Sequence, residues 1–441
     1  MHRTTFHPRP QVALGGDRIV SHAGARLLSN LADALGLTAG LSEALEPTKQ
    51  RQRGHDRGLV FINLATAMAD GVTTLSDLDL FRQQPAVFGA LASMPTTWRT
   101  LAAVDEAAAR IATARAVARA RAWAAGTDPG FYVIDIDGTL LTAHSEKEQA
   151  APTYQHGFGF YPLVAFLERT GEALAAVLRP GNAGSGTAAD HITVLDAALA
   201  QLPVDPHQQE VIVRTDSAGC SHKFLDHCAE RGVPFVVGHP LTADLAVTVL
   251  ARRRLPWVPA ITADGSAERD VGEGAELTPS GDLSGWPPGT RLLVRREIPH
   301  PGAQVTFTDV HGYRYPLTLT NHPSPDGPFL EALHRGRGRC EQASRDLKAT
   351  GLAHLPSAHF AWNEAWVTAV LIAGDLLAWT RGLLLPASWR AVTPDRLRYR
   401  LFPTAGRLVH LARRTVVRLA AAWPWTPILW AAFTRCAALT P

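Results

Sequence analysis

The chain has 441 residues, 46% of them hydrophobic and 19% charged, enough for two or three domains with sizeable cores. A net charge of only +3 excludes a global basic field, so any surface for nucleic acid must come from local clusters. The four cysteines, Cys220, Cys228, Cys340 and Cys436, show neither CxxC nor zinc-ligand spacing, which excludes a disulfide scaffold and a zinc module.

The first residues, MHRTTFHPRPQ, hold no apolar run of the kind a secretion signal needs, so the protein is read as cytoplasmic. Residues 1–126 are expected to form a helical N-terminal region, because HAGARLLSNLADALGL and GLVFINLATAMADG carry apolar residues at helical spacing with glycine at their ends. Pro95 and Thr96 should start a longer arginine-studded helix with Trp98 and Arg99 in its first turn. Short helices followed by such a helix suit a DNA-binding module, and a plain bundle would look the same.

From residue 127 the period changes. FYVIDID, FYPLVAFLE and EALAAVLRP read as strands and TAADHITVLDAALAQL as a helix; strand VIVRTD, helix SHKFLDHCAERG and strand PFVVGHP follow. Residues 251–325 are strand-like and rich in turns, and helical patterning returns over 326–385. The tail, 386–441, is expected to be helical and basic, with Arg413, Arg414 and Arg418 on a helix that would grip DNA or form a solvated face. Its longest uncharged apolar run, Leu419–Thr434, contains Pro424 and Pro427 and is too short to span a membrane. The order describes an α/β fold: a ribonuclease-H-like core (127–250 and 326–385), interrupted by an all-β insertion before its last acidic helix.

Three carboxylates stand out in that frame. Asp137 ends the strand FYVIDID, Asp216 ends VIVRTD, and Glu341 lies on the late helix in LHRGRGRCEQASRDLKATG. Neighbouring strand ends plus a packed helix would bring them together. Two hard cations held by such carboxylates activate a nucleophile and stabilise a leaving oxygen in phosphodiester cleavage, so Mg²⁺, with Mn²⁺ able to substitute, is the expected cofactor. On a helix Arg337 and Glu341 lie about 40° apart and Glu341 and Lys348 about 20°, so all three share a face. Gly336 and Gly338 place His334 and Arg337 in a lead-in turn. Arginine and lysine there would hold a phosphate.

These residues carry a resemblance. The spacing His334-x2-Arg337-x3-Glu341-x6-Lys348 matches the YREK signature of DDE-type transposases of bacterial insertion sequences, and IDIDGT and RTDSAG resemble the surroundings of their first two catalytic aspartates. Within that group the chain resembles the insertion-sequence thirteen-eighty family, over most of residues 15–420. The resemblance implies Asp137, Asp216 and Glu341 as catalytic and metal-binding residues, and His334, Arg337 and Lys348 as DNA contacts. It also implies double-stranded DNA (terminal inverted repeats and target) as partner, a homodimer in the synaptic complex, excision through a hairpin, and a place on the bacterial nucleoid. His334 departs from the signature, which has tyrosine there. Trp286, in the turn-like LSGWPPG, is a candidate for stacking a displaced base, with Trp257 as the other option and ordinary packing as the plainer reading.

Asp135 faces the same side as Asp137 and stays a weaker candidate ligand. It also opens a rival reading, because IDIDGTLL matches the DxDxT motif of haloacid-dehalogenase-like phosphatases, with Asp135 as nucleophile and Asp137 as acid/base. A DNA-binding relic without activity is the third possibility.

Overall fold

The computed structural model describes residues 13–439 apart from 50–53, 145, 243–244, 246–248, 250–254, 281, 300–301, 303–308, 310 and 413. Its strands are β1 (Ile19–Val20), β2 (Tyr132–Gly138), β3 (Leu141–Thr142), β4 (Ala151–Pro152), β5 (Phe158–Phe160), β6 (Leu163–Leu167), β7 (Ala173–Val177), β8 (Val211–Thr215) and β9 (Phe235–His239). They continue with β10 (Val258–Ile261), β11 (Glu268–Glu276), β12 (Arg291–Arg296), β13 (Leu317–Thr320), β14 (Gly406–Leu411) and β15 (Arg414–Leu419). The helices used below are α1 (Arg26–Ala34), α2 (Leu37–Leu45), α3 (Arg57–Asp70), α4 (Asp79–Arg82), α5 (Pro85–Phe88), α6 (Met94–Leu101), α7 (Ala108–Ala122), α8 (Ala188–Leu199) and α9 (His222–Glu230). After them come α10 (Gly327–Arg335), α11 (Gly338–Leu347), α12 (Phe360–Trp379), α13 (Pro394–Arg400) and α14 (Thr426–Ala438).

The frame is mixed α/β, and among the described residues one sheet has nine strands in the order β10-β11-β12-β13-β9-β8-β2-β6-β7. Its centre is parallel: β2 pairs with β8 and β8 with β9 in the same direction, while the β6 and β7 pairings are antiparallel. Strand period decides which side each residue serves. Leu163, Ala165 and Leu167 of β6 pack with α8 and α9, whereas Val164 and Phe166 pack with the α12 side. Ile134 and Ile136 of β2 follow the first set, so Asp135 and Asp137 are left facing the helices α10 and α11.

The four strands of residues 251–325 stand in this same sheet. β13 pairs antiparallel with β9 in unbroken register, Thr320 against Val236 through Leu317 against His239, and the meander β12-β11-β10 extends outward from it. The described strands of this segment prolong the core sheet. The stretch from Ala303 to Val310, expected as strand, lies largely outside the described residues.

Two expectations change. The arginine-studded N-terminal helix is two helices, α6 and α7, parted by Ala102–Ala107. The arginines of α7 are divided, with Arg110 and Arg121 exposed and Arg115 and Arg119 buried. Arg110 donates to the Ala44 carbonyl and Arg121 to that of Leu35, while Arg115 and Arg119 are buried against Asp375. Spacing explains it: Arg115 and Arg119 are one turn apart on the face that α12 covers. The tail is not one helical run either. After α13, the alternating, β-branched stretches RLVHL and RTVVRL form the hairpin β14–β15, so Arg414 and Arg418 lie on a strand, with Arg413 outside the described residues.

One buried network joins the helical part to the sheet. Arg119 donates to Glu172 (3.0 Å), Asp375 (2.7 Å) and Gln201 (2.7 Å), and Arg115 donates to Asp375 (2.8 Å) and the Ala173 carbonyl (2.7 Å). Glu172 also accepts from Trp379 (2.7 Å), Trp123 (3.2 Å) and Thr170 (2.7 Å). By length and apolarity Phe360–Leu384 could cross a membrane, but most of it is buried in this core and it carries Asp375 there. Removing a single member of a buried charge network leaves its partners uncompensated. Arg119→Met should therefore cost roughly 3–5 kcal/mol of stability, read as a lowered denaturant midpoint by tryptophan fluorescence. An unchanged midpoint would mean that the network does not tie these elements together.

Candidate active site

The register of the central strands sets the site. Ile136 of β2 stands against Thr215 of β8, so the next residues along, Asp137 and Asp216, emerge together at the same edge of the sheet. Asp216 opens a short 3-10 turn and its Oδ1 accepts from the Ala218 amide at 2.9 Å. The bland turn-capping role open to such an aspartate is therefore real, and it uses one oxygen of the two. Glu341 lies in the first turn of α11, which packs on β2 and β6. It is exposed, and among the described residues it makes no hydrogen bond or ion pair.

The basic residues converge on the same edge. Arg337, the residue before α11, donates to Asp137 Oδ1 at 3.0 Å. Lys348 begins the wider turn that follows α11. Burial raises the Asp137 pKa, Asp216 and Glu341 push it the same way, and Arg337 only partly offsets them. Burial opposes the Arg337 charge, yet Asp137 and Asp216 outweigh it and raise its pKa. Lys348 is lowered by burial, with Asp137 pulling the other way. The five side chains thus share one electrostatic neighbourhood.

The carboxylates are not drawn into a closed cluster. Among the described residues no three His, Cys, Asp or Glu side chains stand close enough together to hold an ion. Instead, the Arg337 guanidinium sits on Asp137 as its counter-charge. In chemistry the donor set suits a hard divalent cation, since all three donors are carboxylates, and their mutual repulsion adds to the burial that raises the Asp137 pKa.

Asp135 has a different role. Its two oxygens accept from Arg214 Nε and Nη2 at 2.6 and 2.7 Å, and the pair is almost fully buried. Arg214 also donates to the Leu333 carbonyl in α10. A Cβ on Gly336 would stand 2.7 Å from that guanidinium, so glycine is required where α10 passes into α11. The pair anchors the helices that carry Arg337 and Glu341. A phosphatase nucleophile must meet substrate, and a carboxylate sealed under Arg214 cannot, which removes the observation the rival reading rested on.

His334 sits in the last turn of α10, next to the Thr215 backbone, rather than in a lead-in loop. Burial, with the Arg337 and Arg214 charges behind it, pushes its pKa down to about 3. The ring is held neutral, and among the described residues its Nε2 has no hydrogen-bond partner. A charged phosphate contact from His334 is therefore not what this position offers. Trp286 stacks on His222 (3.9 Å between centroids, 22° between planes) with His239 edge-on at 6.2 Å, so one face of its ring is already covered. Trp257 lies under the Arg296 guanidinium, 4.3 Å from its ring centre.

Sequence reading missed Tyr161 and Arg179. A Cβ on Gly138 would stand 2.5 Å from the Tyr161 hydroxyl, so the phenol lies directly against the strand end that carries Asp137. Burial raises the Tyr161 pKa, and Tyr154, Asp216 and Asp137 raise it further. Arg179 lies over its ring at 5.0 Å and donates to its carbonyl at 2.9 Å. The available signal was position alone: Tyr161 stands just ahead of the strand that pairs with β2.

The family model described as "Transposase DDE domain group 1" matches residues 2–441. No curated protein matches the chain. Among solved structures it is similar to the piggyBac transposase synaptic complex with hairpin DNA, determined by cryo-electron microscopy, at 10% identity and a TM-score of 0.39, covering 85% of this chain and 80% of that one.

The His334 shift has a consequence for stability. Its folded pKa lies below the ordinary 6.5, so in acid the unfolded chain takes up a proton that the folded chain refuses. The stability this contributes is present above pH 6.5 and is lost as pH falls toward about 3. His334→Asn should flatten that acid loss relative to wild type in denaturant titrations at a series of pH values. Parallel acid limbs in the two proteins would show that His334 stays protonatable in the fold.

Proposed function

The chain belongs to the group 1 DDE transposases, and on that premise we propose that it cuts and rejoins DNA at the terminal inverted repeats of its own insertion sequence. Support comes from one observation above the rest. Three carboxylates from β2, β8 and α11 meet electrostatically at the same sheet edge as Arg337 and Lys348. In this reading the parallel centre β2-β8-β9 with its antiparallel flank is a ribonuclease-H-like core. The order of its strands supports that reading, and residues 251–325 are a β extension of its sheet.

Asp137, Asp216 and Glu341 would hold divalent metal, Mg²⁺ or Mn²⁺. The metal's chemistry is to lower the pKa of a water or hydroxyl and to stabilise charge on the leaving oxygen. The rest falls to the chain's own residues. Arg337, now on Asp137, is placed to exchange that carboxylate for a DNA phosphate, which a planar guanidinium can grip with two hydrogen bonds. Lys348 adds a point charge beside it. Tyr161 offers a neutral hydroxyl next to Asp137, and the neutral His334 backs the Asp216 strand end. Trp286, stacked on His222 near the ends of β8 and β9, is the aromatic candidate to stack a displaced base, as excision through a hairpin would require. Paired cutting at two ends implies a homodimer in the synaptic complex.

The test is strand cleavage of a duplex carrying the gene's own flanking DNA, with Mg²⁺, followed on denaturing gels. Glu341→Gln and Asp137→Asn should each lower the cleavage rate at least about a hundredfold, since loss of mere outer-shell partners of a metal costs 10–100-fold. A chelator should abolish cleavage in wild type. Tyr161→Phe should lose roughly tenfold, with unchanged thermal stability. Cleavage that survives Glu341→Gln would remove the third carboxylate from the site, and release of phosphate from a simple ester would overturn the reading as a whole.

A further inference from the structure

After Asp395 the chain has no acidic residue at all, and it holds eight arginines (Arg396, Arg398, Arg400, Arg407, Arg413, Arg414, Arg418 and Arg435). A whole-chain charge of +3 therefore leaves the first 395 residues at −5, so the positive charge of the molecule is concentrated in its last tenth. Within that tenth, β14 and β15 form an antiparallel ribbon, and the short β1 adds to the β14 side. Register assigns its faces. Leu408, Val417 and Leu419 pack against the core. The opposite face pairs Arg407 with Arg418, Val409 with Val416 and Leu411 with Arg414, and Ile19 of β1 stands beside Arg407.

The three arginines are exposed, and among the described residues none has an acidic partner. Arg407 and Arg418 face each other directly across the strands, an arrangement that like charges disfavour. A polyanion laid on this face would turn that repulsion into attraction. Exposed Leu411 and Ile19 add apolar contacts between the charges. A two-stranded ribbon fits the major groove of B-DNA, and six residues of strand, about 20 Å, run along roughly six base pairs.

We infer that the outward face of the β14–β15 ribbon is a DNA-contact surface separate from the sheet edge with the acidic residues, and that it holds backbone phosphates of duplex DNA through Arg407, Arg414 and Arg418. The inference rests on the transposase reading for its partner.

The test is fluorescence anisotropy of a labelled duplex with the full chain, titrated over a series of NaCl concentrations. Three phosphate contacts contribute a slope of about −2.7 to log affinity against log salt, at about −0.9 each. The triple variant R407A/R414A/R418A should bind at least about tenfold more weakly, with a slope shallower by about 2.7, whereas R407K/R414K/R418K should keep the wild-type slope. If the triple alanine variant does not fold, R414A alone should lose about 0.9 of slope. Wild-type affinity and slope in the alanine variants would overturn this inference and leave the transposase reading standing. No binding of any duplex by wild type would overturn both.

Discussion

Two arginines and two carboxylates, all buried, hold this molecule in register. Arg115 and Arg119 reach from α7, Asp375 from α12 and Glu172 from the turn that leads into β7. Charges cost several kcal/mol each to bury, so such a quartet persists only if every lone pair and N–H finds a partner. Here the indoles of Trp123 and Trp379, the Thr170 hydroxyl and the Gln201 amide complete the set. Satisfied polar networks specify one arrangement where an apolar contact would tolerate sliding. The N-terminal helices, the sheet edge and the central helix can dock in only one way.

A second buried pair does the same for the site. Asp135 and Arg214 are direct neighbours across β2 and β8, and Arg214 extends to α10. The chain thus holds two aspartates two residues apart in one strand and treats them oppositely. The inner one is neutralised by a fixed, buried arginine, and the outer one stands at the strand end with Arg337 as its counter-charge. The difference in their surroundings comes from how far along the strand each stands. Tyr161 and His334 fit the same logic, as neutral polar groups at the rim where added charge would deepen the repulsion among the acids.

Arginine placement shows the same economy. Nearly all cationic residues in this chain are arginine, a side chain suited both to buried bidentate pairs and to phosphate. The molecule divides them by environment: α7 buries Arg115 and Arg119, while the acid-free tail turns three outward on a ribbon.

Much of the frame was legible in the residues. Period-2 runs ending in Asp137 and Asp216 marked neighbouring strands, because side-chain direction repeats rigidly along each element, whereas of Arg337, Glu341 and Lys348 only Glu341 lies within α11 itself. The alternation in RLVHL and RTVVRL was equally present, but an arginine-rich tail read as helix hid it. Other features were beyond any local pattern. Arg119 meets Asp375 across 256 positions, and arginines one turn apart look alike whether a face is solvated or covered. Asp135 and Asp137 likewise share a strand face, and only the arrival of Arg214 and α10 made one structural. The sequence by itself determined which residues point together. Tertiary structure decided what they point at, since partners are set by which elements pack, and packing is a property of the whole chain.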